Sequence, residues 1–186
     1  MSIATRTGDN GTTGLMYNRR VSKAHLRVET CGAVDELNAA LGMARATATE
    51  SLVRESLLAV QQDLILLMGE VATLPADLER YVKDGFQLVS PAMTDKLDAL
   101  VKDLEAQKIS FKGWATPGAT PLAAALDVAR TTCRRAERRV AALREAGELA
   151  NVAIGVYLNR LSDALWLMAR WVETRAETPG GGPALA

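Results

Sequence analysis

The run from residue 5 to residue 14, Thr-Arg-Thr-Gly-Asp-Asn-Gly-Thr-Thr-Gly, has the composition of a phosphate-binding loop, with three glycines, four threonines and one arginine. Glycines let backbone N–H groups turn toward an anion, hydroxyl groups donate hydrogen bonds, and a cation neutralises charge. The run is not a Walker A sequence, because Gly-x4-Gly-Lys-Ser/Thr is absent from the chain. Asp9-Asn10-Gly11 equally suits a plain turn between two short strands. Composition alone leaves both interpretations open, and Arg19, Arg20 and Lys23 add positive charge nearby.

A second basic segment covers residues 130 to 139. On a helix, Arg130, Arg134 and Arg138 stack along one edge, a spacing that suits an elongated anion such as a triphosphate. Like charges four residues apart repel each other, so the stripe gains from an anion opposite it. A solvated face paired with acidic neighbours explains the same pattern. The core face of this helix is predicted to carry Leu122, Leu126, Ala129, Cys133, Ala136 and Val140.

Polar residues interrupt the apolar helix predicted after residue 150. Asn159 and Asp163 share a stripe with Val152 and Val156, which predicts that at least one of the two polar side chains is buried or lines a cleft. A buried polar group needs partners, and the arginines of the preceding antiparallel helix are candidates. A satisfied hydrogen bond between helices is the purely structural alternative.

Two smaller features also have functional and structural interpretations. Asp35 and Asn38 form a polar patch in the first predicted helix, suited either to an interface or to function. Trp114 lies in a loop that Gly113, Pro117 and Gly118 hold in shape. Its indole is either ordinary core or a hydrophobic wall of a ligand site.

Composition narrows the classes of function. The chain has 186 residues, 22 basic and 22 acidic side chains, one histidine and two cysteines, as expected for one compact domain in a reducing cytosol. Net neutrality disfavours broad capture of nucleic acid or an anionic membrane. His25, Cys31 and Cys133 are too few for a zinc site and are interpreted as structural. Without an apolar signal segment or membrane span, the predicted location is the cytoplasm.

Helix-forming residues dominate from Ala24 onward, and the predicted fold is an all-α, five-helix up-and-down bundle. The predicted helices are 26–47, 50–73, from Pro91, from about Pro121, and from near Glu148, with loops at 77–90 and 109–120. Residues 1–22 are expected to form a nucleotide-binding segment, 23–177 the bundle and 178–186 a flexible tail.

Four motifs together resemble the PduO-type ATP:cob(I)alamin adenosyltransferases. They are Thr-Arg-Thr-Gly-Asp-Asn-Gly-Thr-Thr at 5–13, Val-Asp-Glu-Leu-Asn at 34–38, the arginine block at 129–139, and Tyr-Leu-Asn-Arg-Leu-Ser-Asp at 157–163. The resemblance implies a homotrimer of five-helix bundles that binds ATP at each subunit interface. It implies transfer of the 5′-deoxyadenosyl group to cobalt with release of triphosphate, with magnesium mainly on the ATP phosphates and with an electron-donating reductase and a B12-dependent enzyme as partners. A non-catalytic cobalamin carrier is the alternative.

The resemblance also assigns roles to individual residues. The nucleotide would be bound by Thr5, Arg6, Thr7, Gly8, Thr13, Lys23, Arg134, Arg135, Glu137, Arg138 and Asn159. Asp35 and Arg130 resemble the family's intersubunit salt bridge beside the active site, and Trp114 falls where a phenylalanine commonly faces the corrin. Asp35, Arg130, Arg134 and Arg138 are the residues expected to serve catalysis.

Two positions depart from the family pattern. The common Phe-Val-Leu-Pro-Gly is Trp-Ala-Thr-Pro-Gly at 114–118, and the histidine usual before the Val-Ala-Arg stretch is Asp127. The first change bears on displacement of the lower cobalt ligand, and the second is expected to alter a contact between helices.

Overall fold

A computed structural model describes residues 4, 6–107, 109 and 114–177. Two short strands, β1 (Thr12–Gly14) and β2 (Arg20–Ser22), precede the helices. The helices are α1 (Leu26–Thr47), α2 (Ser51–Val71), α3 (Leu78–Lys83), α4 (Pro91–Glu105), α5 (Pro121–Glu145) and α6 (Ala153–Glu177). Five of the six are long, which confirms the predicted all-α bundle. Thr5 and the predicted tail at 178–186 lie outside the described residues.

The bundle is ordered by its packing: α1 lies against α2 and α5, and α6 lies against α5 and α4. α1 and α5 are antiparallel, since Glu29 pairs with Arg139 and Glu36 pairs with Arg135. Capping side chains start two of the helices. The Nδ1 atom of His25 accepts a hydrogen bond from the backbone N–H of Arg27, and the Thr120 hydroxyl accepts one from the N–H of Ala123.

The apolar stripe predicted for the fourth long helix is confirmed, because all six of its residues are buried in α5. Arg27 is fully buried at the start of α1 and ties three segments together. Its guanidinium donates to the carbonyl oxygens of Val71 at 2.6 Å and Thr73 at 2.8 Å, and to the Glu148 carboxylate at 3.0 Å. These bonds hold the end of α2 and the α5–α6 connection against the start of α1.

The N-terminal segment is a hairpin, as the strand alternative predicted, but its turn lies elsewhere. β1 pairs antiparallel with β2, with Thr13 opposite Val21, so the connection is residues 15–19 and not Asp9-Asn10-Gly11. Tyr17 and Asn18 both have φ near +58° in that connection. Positive φ values of this kind favour glycine, so Tyr17 and Asn18 hold an uncommon left-handed backbone conformation in this turn.

The loop predicted at 77–90 contains the helix α3 and is therefore partly wrong. Tyr81, in this six-residue helix, is buried and stacks on Phe86, with ring centroids 4.6 Å apart. A helix this short leaves no periodicity to detect. The predicted Asp84-Gly85 turn does end it, with Gly85 at φ +90°.

Within the described residues, no single helix has the length and apolar composition needed to cross a membrane; the stretches Ser51–Val71 and Pro75–Lys83 pass that test only as a pair, which is bent by 102°.

Candidate active site

The loop before β1 turns back on itself around Gly8. A Cβ atom at Gly8 would meet the Lys23 side chain at 3.3 Å and the Thr12 carbonyl oxygen at 3.2 Å, so the loop backbone packs directly on Lys23. Arg6 has φ +58° and Gly11 has φ +79°. These left-handed conformations produce the tight curvature that an anion-binding loop needs.

Side chains inside the hairpin fix the shape of this loop. The Asn10 amide oxygen accepts hydrogen bonds from the Thr12 N–H at 3.2 Å and the Thr12 hydroxyl at 2.7 Å. Arg20 donates to the Thr7 carbonyl oxygen at 2.6 Å and to the Thr12 hydroxyl. Arg20 therefore braces the loop from β2.

The hairpin itself is anchored to the end of α2 and the segment after it. The Met16 N–H donates to the Ala72 carbonyl oxygen at 3.1 Å. Arg19 donates two hydrogen bonds, both 2.7 Å long, to the Asp77 carboxylate. The hydrogen bond from Arg19 lowers the pKa of Asp77 below its usual range, and the same bond raises the pKa of Arg19. Tyr17 adds a 2.9 Å hydrogen bond to Asp84.

The basic residues of α5 point toward two different neighbours. Arg134 donates to the Asn159 amide oxygen of α6 at 2.9 Å and pairs with Glu137 at 2.8 Å. Arg135 pairs instead with Glu36 of α1. Arg138 is exposed and has neither a hydrogen bond nor an ion pair within the described part of the chain. The structure thus brings together three of the proposed nucleotide-binding residues, Arg134, Glu137 and Asn159.

The predicted burial on α6 is wrong, although the predicted arginine partner is present. Asn159, Asp163, Val152 and Val156 are all exposed in the single chain. The four residues do share a stripe, but no helix among the described residues covers it. Asp163 pairs with Arg160 at 3.0 Å and does not line a cleft with Asn159.

Arg130 and Asp35, the expected intersubunit pair, occupy α5 and α1. Asp35 is exposed. The Arg130 side chain is 28% exposed, and its Nε atom donates to Asp127 at 2.9 Å. Asp127 also accepts a 2.6 Å hydrogen bond from Arg170 of α6, so the residue that departs from the family pattern takes part in a contact between helices.

Trp114 is 99% exposed, so the interpretation of this side chain as ordinary core is wrong. A fully exposed indole is unusual because tryptophan is highly buried on average. The indole is therefore not packed against the described part of its own bundle.

Residues 3–172 match the cobalamin adenosyltransferase family. A corrinoid adenosyltransferase of Citrobacter freundii is 40% identical over 172 residues, which are 92% of this chain and 95% of that protein. The chain belongs to the cobalamin adenosyltransferase family.

Further relatives of this adenosyltransferase chain agree. The cobalamin adenosyltransferase of Cupriavidus metallidurans is 41% identical over 97% of this chain and 90% of that protein. The corrinoid adenosyltransferase PduO of Salmonella typhimurium is 39% identical over 91% of this chain, which spans only 49% of that longer protein. A variant PduO-type ATP:corrinoid adenosyltransferase of Lactobacillus reuteri, complexed with cobalamin and ATP, has a TM-score of 0.84 at 32% identity, over 93% of this chain and 94% of that one.

The predicted class of enzyme, an ATP:corrinoid adenosyltransferase, is therefore confirmed. Nothing in these relatives supports the alternative of a non-catalytic carrier. Burial raises the pKa of the Cys31 thiol to about 11 and raises that of Cys133 as well, which disfavours the thiolate form of both cysteines. In the described part of the chain, no group of three His, Cys, Asp or Glu side chains is placed to hold a metal ion.

The sequence indicated Arg19 and Arg20 only as positive charge near the loop, and it did not predict their structural roles or that of Asp77. Arg20 braces the loop, and Arg19 with Asp77 docks the hairpin. The excess of basic residues near position 20 hinted at the arginines. The role of Asp77 was hidden, because it lies 58 residues from Arg19 within a predicted loop.

Proposed function

We propose that this chain transfers the 5′-deoxyadenosyl group of ATP to the cobalt of reduced cobalamin. The bond between C5′ and the triphosphate oxygen breaks, a carbon–cobalt bond forms, and triphosphate leaves. The cobalt(I) of the substrate carries the attacking lone pair, so no general base is required. The protein must supply position and charge, because the leaving triphosphate gains negative charge in the transition state.

The hydrogen bond between Arg134 and Asn159 is the observation that carries this proposal. It joins the arginine block of α5 to the Tyr-Leu-Asn-Arg-Leu-Ser-Asp segment of α6 at an exposed surface. Asn159 and Glu137 hold the Arg134 guanidinium ready for a phosphate oxygen. Four residues on, Arg138 adds a second cation, which has no pairing partner among the described residues. Arg135 completes the basic surface on the side of α1.

On the other side, the loop at residues 5–13 and Lys23 would hold the nucleotide. The positive φ at Arg6 and the packing of Gly8 on Lys23 support a loop shaped for phosphates. Thr5, Thr7 and Thr13 would contribute hydroxyl groups. Thr5 lies outside the described residues, so its part of the proposal rests on the family motif.

A homotrimer would complete the site. The hairpin is anchored through α2 and the segment after it, whereas the arginines are anchored through α1 and α6. On α6, Val152 and Val156 are exposed on the stripe of Asn159, which favours a covering protein surface. A second copy that contributes its loop there would enclose the triphosphate.

The corrin would bind beside Trp114, with Asp35 of one protomer facing Arg130 of another. An indole wall would exclude water and the lower axial ligand, which favours reduction of cobalt. Magnesium is proposed on the ATP phosphates. An electron-donating reductase would supply cobalt(I), a B12-dependent enzyme would receive the product, and the cytoplasm suits both ATP and a reduced substrate.

The direct test is incubation of the chain with ATP, magnesium and chemically reduced cobalamin. We expect adenosylcobalamin and triphosphate in equal amounts, measured by absorbance and anion-exchange chromatography. Bound cobalamin without a carbon–cobalt bond or triphosphate would refute the transferase and favour a carrier.

A further inference from the structure

Asp127 lies buried between two arginines where α5 crosses α6. Its Oδ1 atom accepts from the Nε of Arg130 at 2.9 Å, and its Oδ2 atom accepts from the Nη2 of Arg170 at 2.6 Å. Asp127 is 3% exposed and Arg170 is 4% exposed. Both carboxylate oxygens are therefore committed, one to a buried arginine and one to an arginine that reaches the surface.

The charges within this cluster balance. Arg170 also pairs with Glu173, one turn further along α6, at 2.7 Å. Two guanidinium groups thus face two carboxylates, which offsets the cost of burying the charges. Arg170 is locked from two sides and acts as the anchor, so Asp127 has little freedom to move.

Arg130 is held through one edge only. Asp127 binds its Nε, and within the described part of the chain no hydrogen bond reaches its two terminal nitrogens. An arginine side chain has many rotamers in water, and a fixed hydrogen bond to Nε selects among them. The Nη end of the guanidinium is left available for a partner outside this chain.

We propose that Asp127 is a positioning residue that orients Arg130 toward the corrin side of the site, with Arg170 as its anchor. This proposal rests on the proposed function, because Arg130 is assigned to that site there. A neutral imidazole at this position would offer one acceptor and could not serve two arginines at once. The carboxylate of Asp127 serves both.

A double-mutant cycle between Asp127 and Arg130 tests the proposal, with the KM for reduced cobalamin, the KM for ATP and Tm measured on each variant. We expect Asp127→Asn to raise the KM for cobalamin about tenfold and to leave that for ATP within about twofold. In an Arg130→Ala background, Asp127→Asn should raise the KM no further, because the residue it orients is gone. Tm should fall in both backgrounds, because Arg170 loses the Asp127 carboxylate in each and keeps only Glu173.

Glu70→Gln is the matched control. Glu70 is a buried carboxylate that uses both oxygens, on the Val89 N–H at 2.7 Å and the Asn151 amide at 2.9 Å, away from Arg130. It should lower Tm without changing the KM for cobalamin. Asp127→His, which supplies a single acceptor, is measured in parallel and should shift the KM in the same direction, so the cycle can be completed if the asparagine variant does not fold.

A lower Tm with an unchanged KM in the folded Asp127 variants would show a merely structural role and overturn the proposal. A further rise in KM in the Arg130→Ala background would also overturn it, because Asp127 would then act independently. Either result leaves the proposed function standing if wild-type turnover is normal, whereas a wild-type chain that forms no adenosylcobalamin would overturn both proposals.

Discussion

Replacing Arg138 with alanine should lower activity and leave stability unchanged or slightly higher. Arg138 is exposed and unpaired within the described part of the chain, and it lies four and three residues from Arg134 and Arg135. Each like-charge pair at such spacing costs about 0.2–0.5 kcal/mol. Alanine is also the stronger helix former. We therefore expect the free energy of unfolding to rise by up to about 1 kcal/mol, which raises Tm by about 2–4 °C for a domain of this size.

The effect on transfer should have the opposite sign. In the proposed site, Arg138 faces the triphosphate as its charge grows, and removal of one preorganised donor typically lowers kcat about 100- to 1000-fold. This loss corresponds to about 3–4 kcal/mol of transition-state stabilisation. If Arg138→Ala lowers the rate strongly without lowering stability, a structural role is excluded and Arg138 acts in the reaction itself.

The neighbouring Arg139→Ala is the matched control. Arg139 is 45% exposed and pairs with Glu29 at 3.1 Å, so its removal should cost about 0–1 kcal/mol of stability and none of the activity. Activity is measured as the initial rate of adenosylcobalamin formation from chemically reduced cobalamin at saturating ATP. Stability is measured by thermal unfolding. Activity of Arg138→Ala within about threefold of wild type, or equal losses in both variants, would refute the reasoning.

Three further outcomes are expected. Trp114→Ala should slow the reaction from Co(II) about 30-fold or more, because an aromatic side chain that the bound corrin buries contributes about 2–3 kcal/mol. It should slow the reaction from Co(I) less, and equal losses would exclude the indole wall. Asp35→Asn should weaken assembly or cobalamin binding by about 2 kcal/mol, seen by sedimentation and titration, and no change in either would remove the proposed salt bridge. The Arg19 hydrogen bond lowers the pKa of Asp77, so docking of the hairpin is complete above about pH 4 and is lost as pH falls through the lowered value. Asp77→Asn should flatten the acid limb of the unfolding curve, and an unchanged limb would contradict this.

The long helices were predictable because their periodicity and end signals agree. The stripe from Leu122 to Val140 repeats every three or four residues, and Pro121 stands at the first position of α5. The capping role of His25 could not be predicted from the sequence, because it depends on the orientation of the imidazole ring. α3 could not be predicted because it has only six residues, of which Tyr81 alone is buried.

The burial predicted for Asn159 failed for a different reason. Periodicity states which residues share a helix face, but it does not state whether a neighbour in the same chain covers that face. Val152 and Val156 share the stripe and are equally exposed. The sequence shows Asp127 as a departure from the family pattern, but its partner Arg170 lies 43 residues away on another helix. Only the packing of α5 on α6 brings the two together.

The acidic partners of the arginine block give Glu137 a specific place in the site. A carboxylate beside a triphosphate would repel it, so direct contact of Glu137 with the phosphates is unfavourable. The structure pairs Glu137 with Arg134 at 2.8 Å, while Glu36 and Glu29 of α1 pair with Arg135 and Arg139. The alternative of a solvated face paired with acids and the proposal of a phosphate site are therefore compatible. The three carboxylates reduce the repulsion between the arginines of one helix. In the proposed site, Glu137 acts on the nucleotide by orienting Arg134. The equal numbers of acidic and basic side chains, 22 of each, are thus compatible with a local anion site.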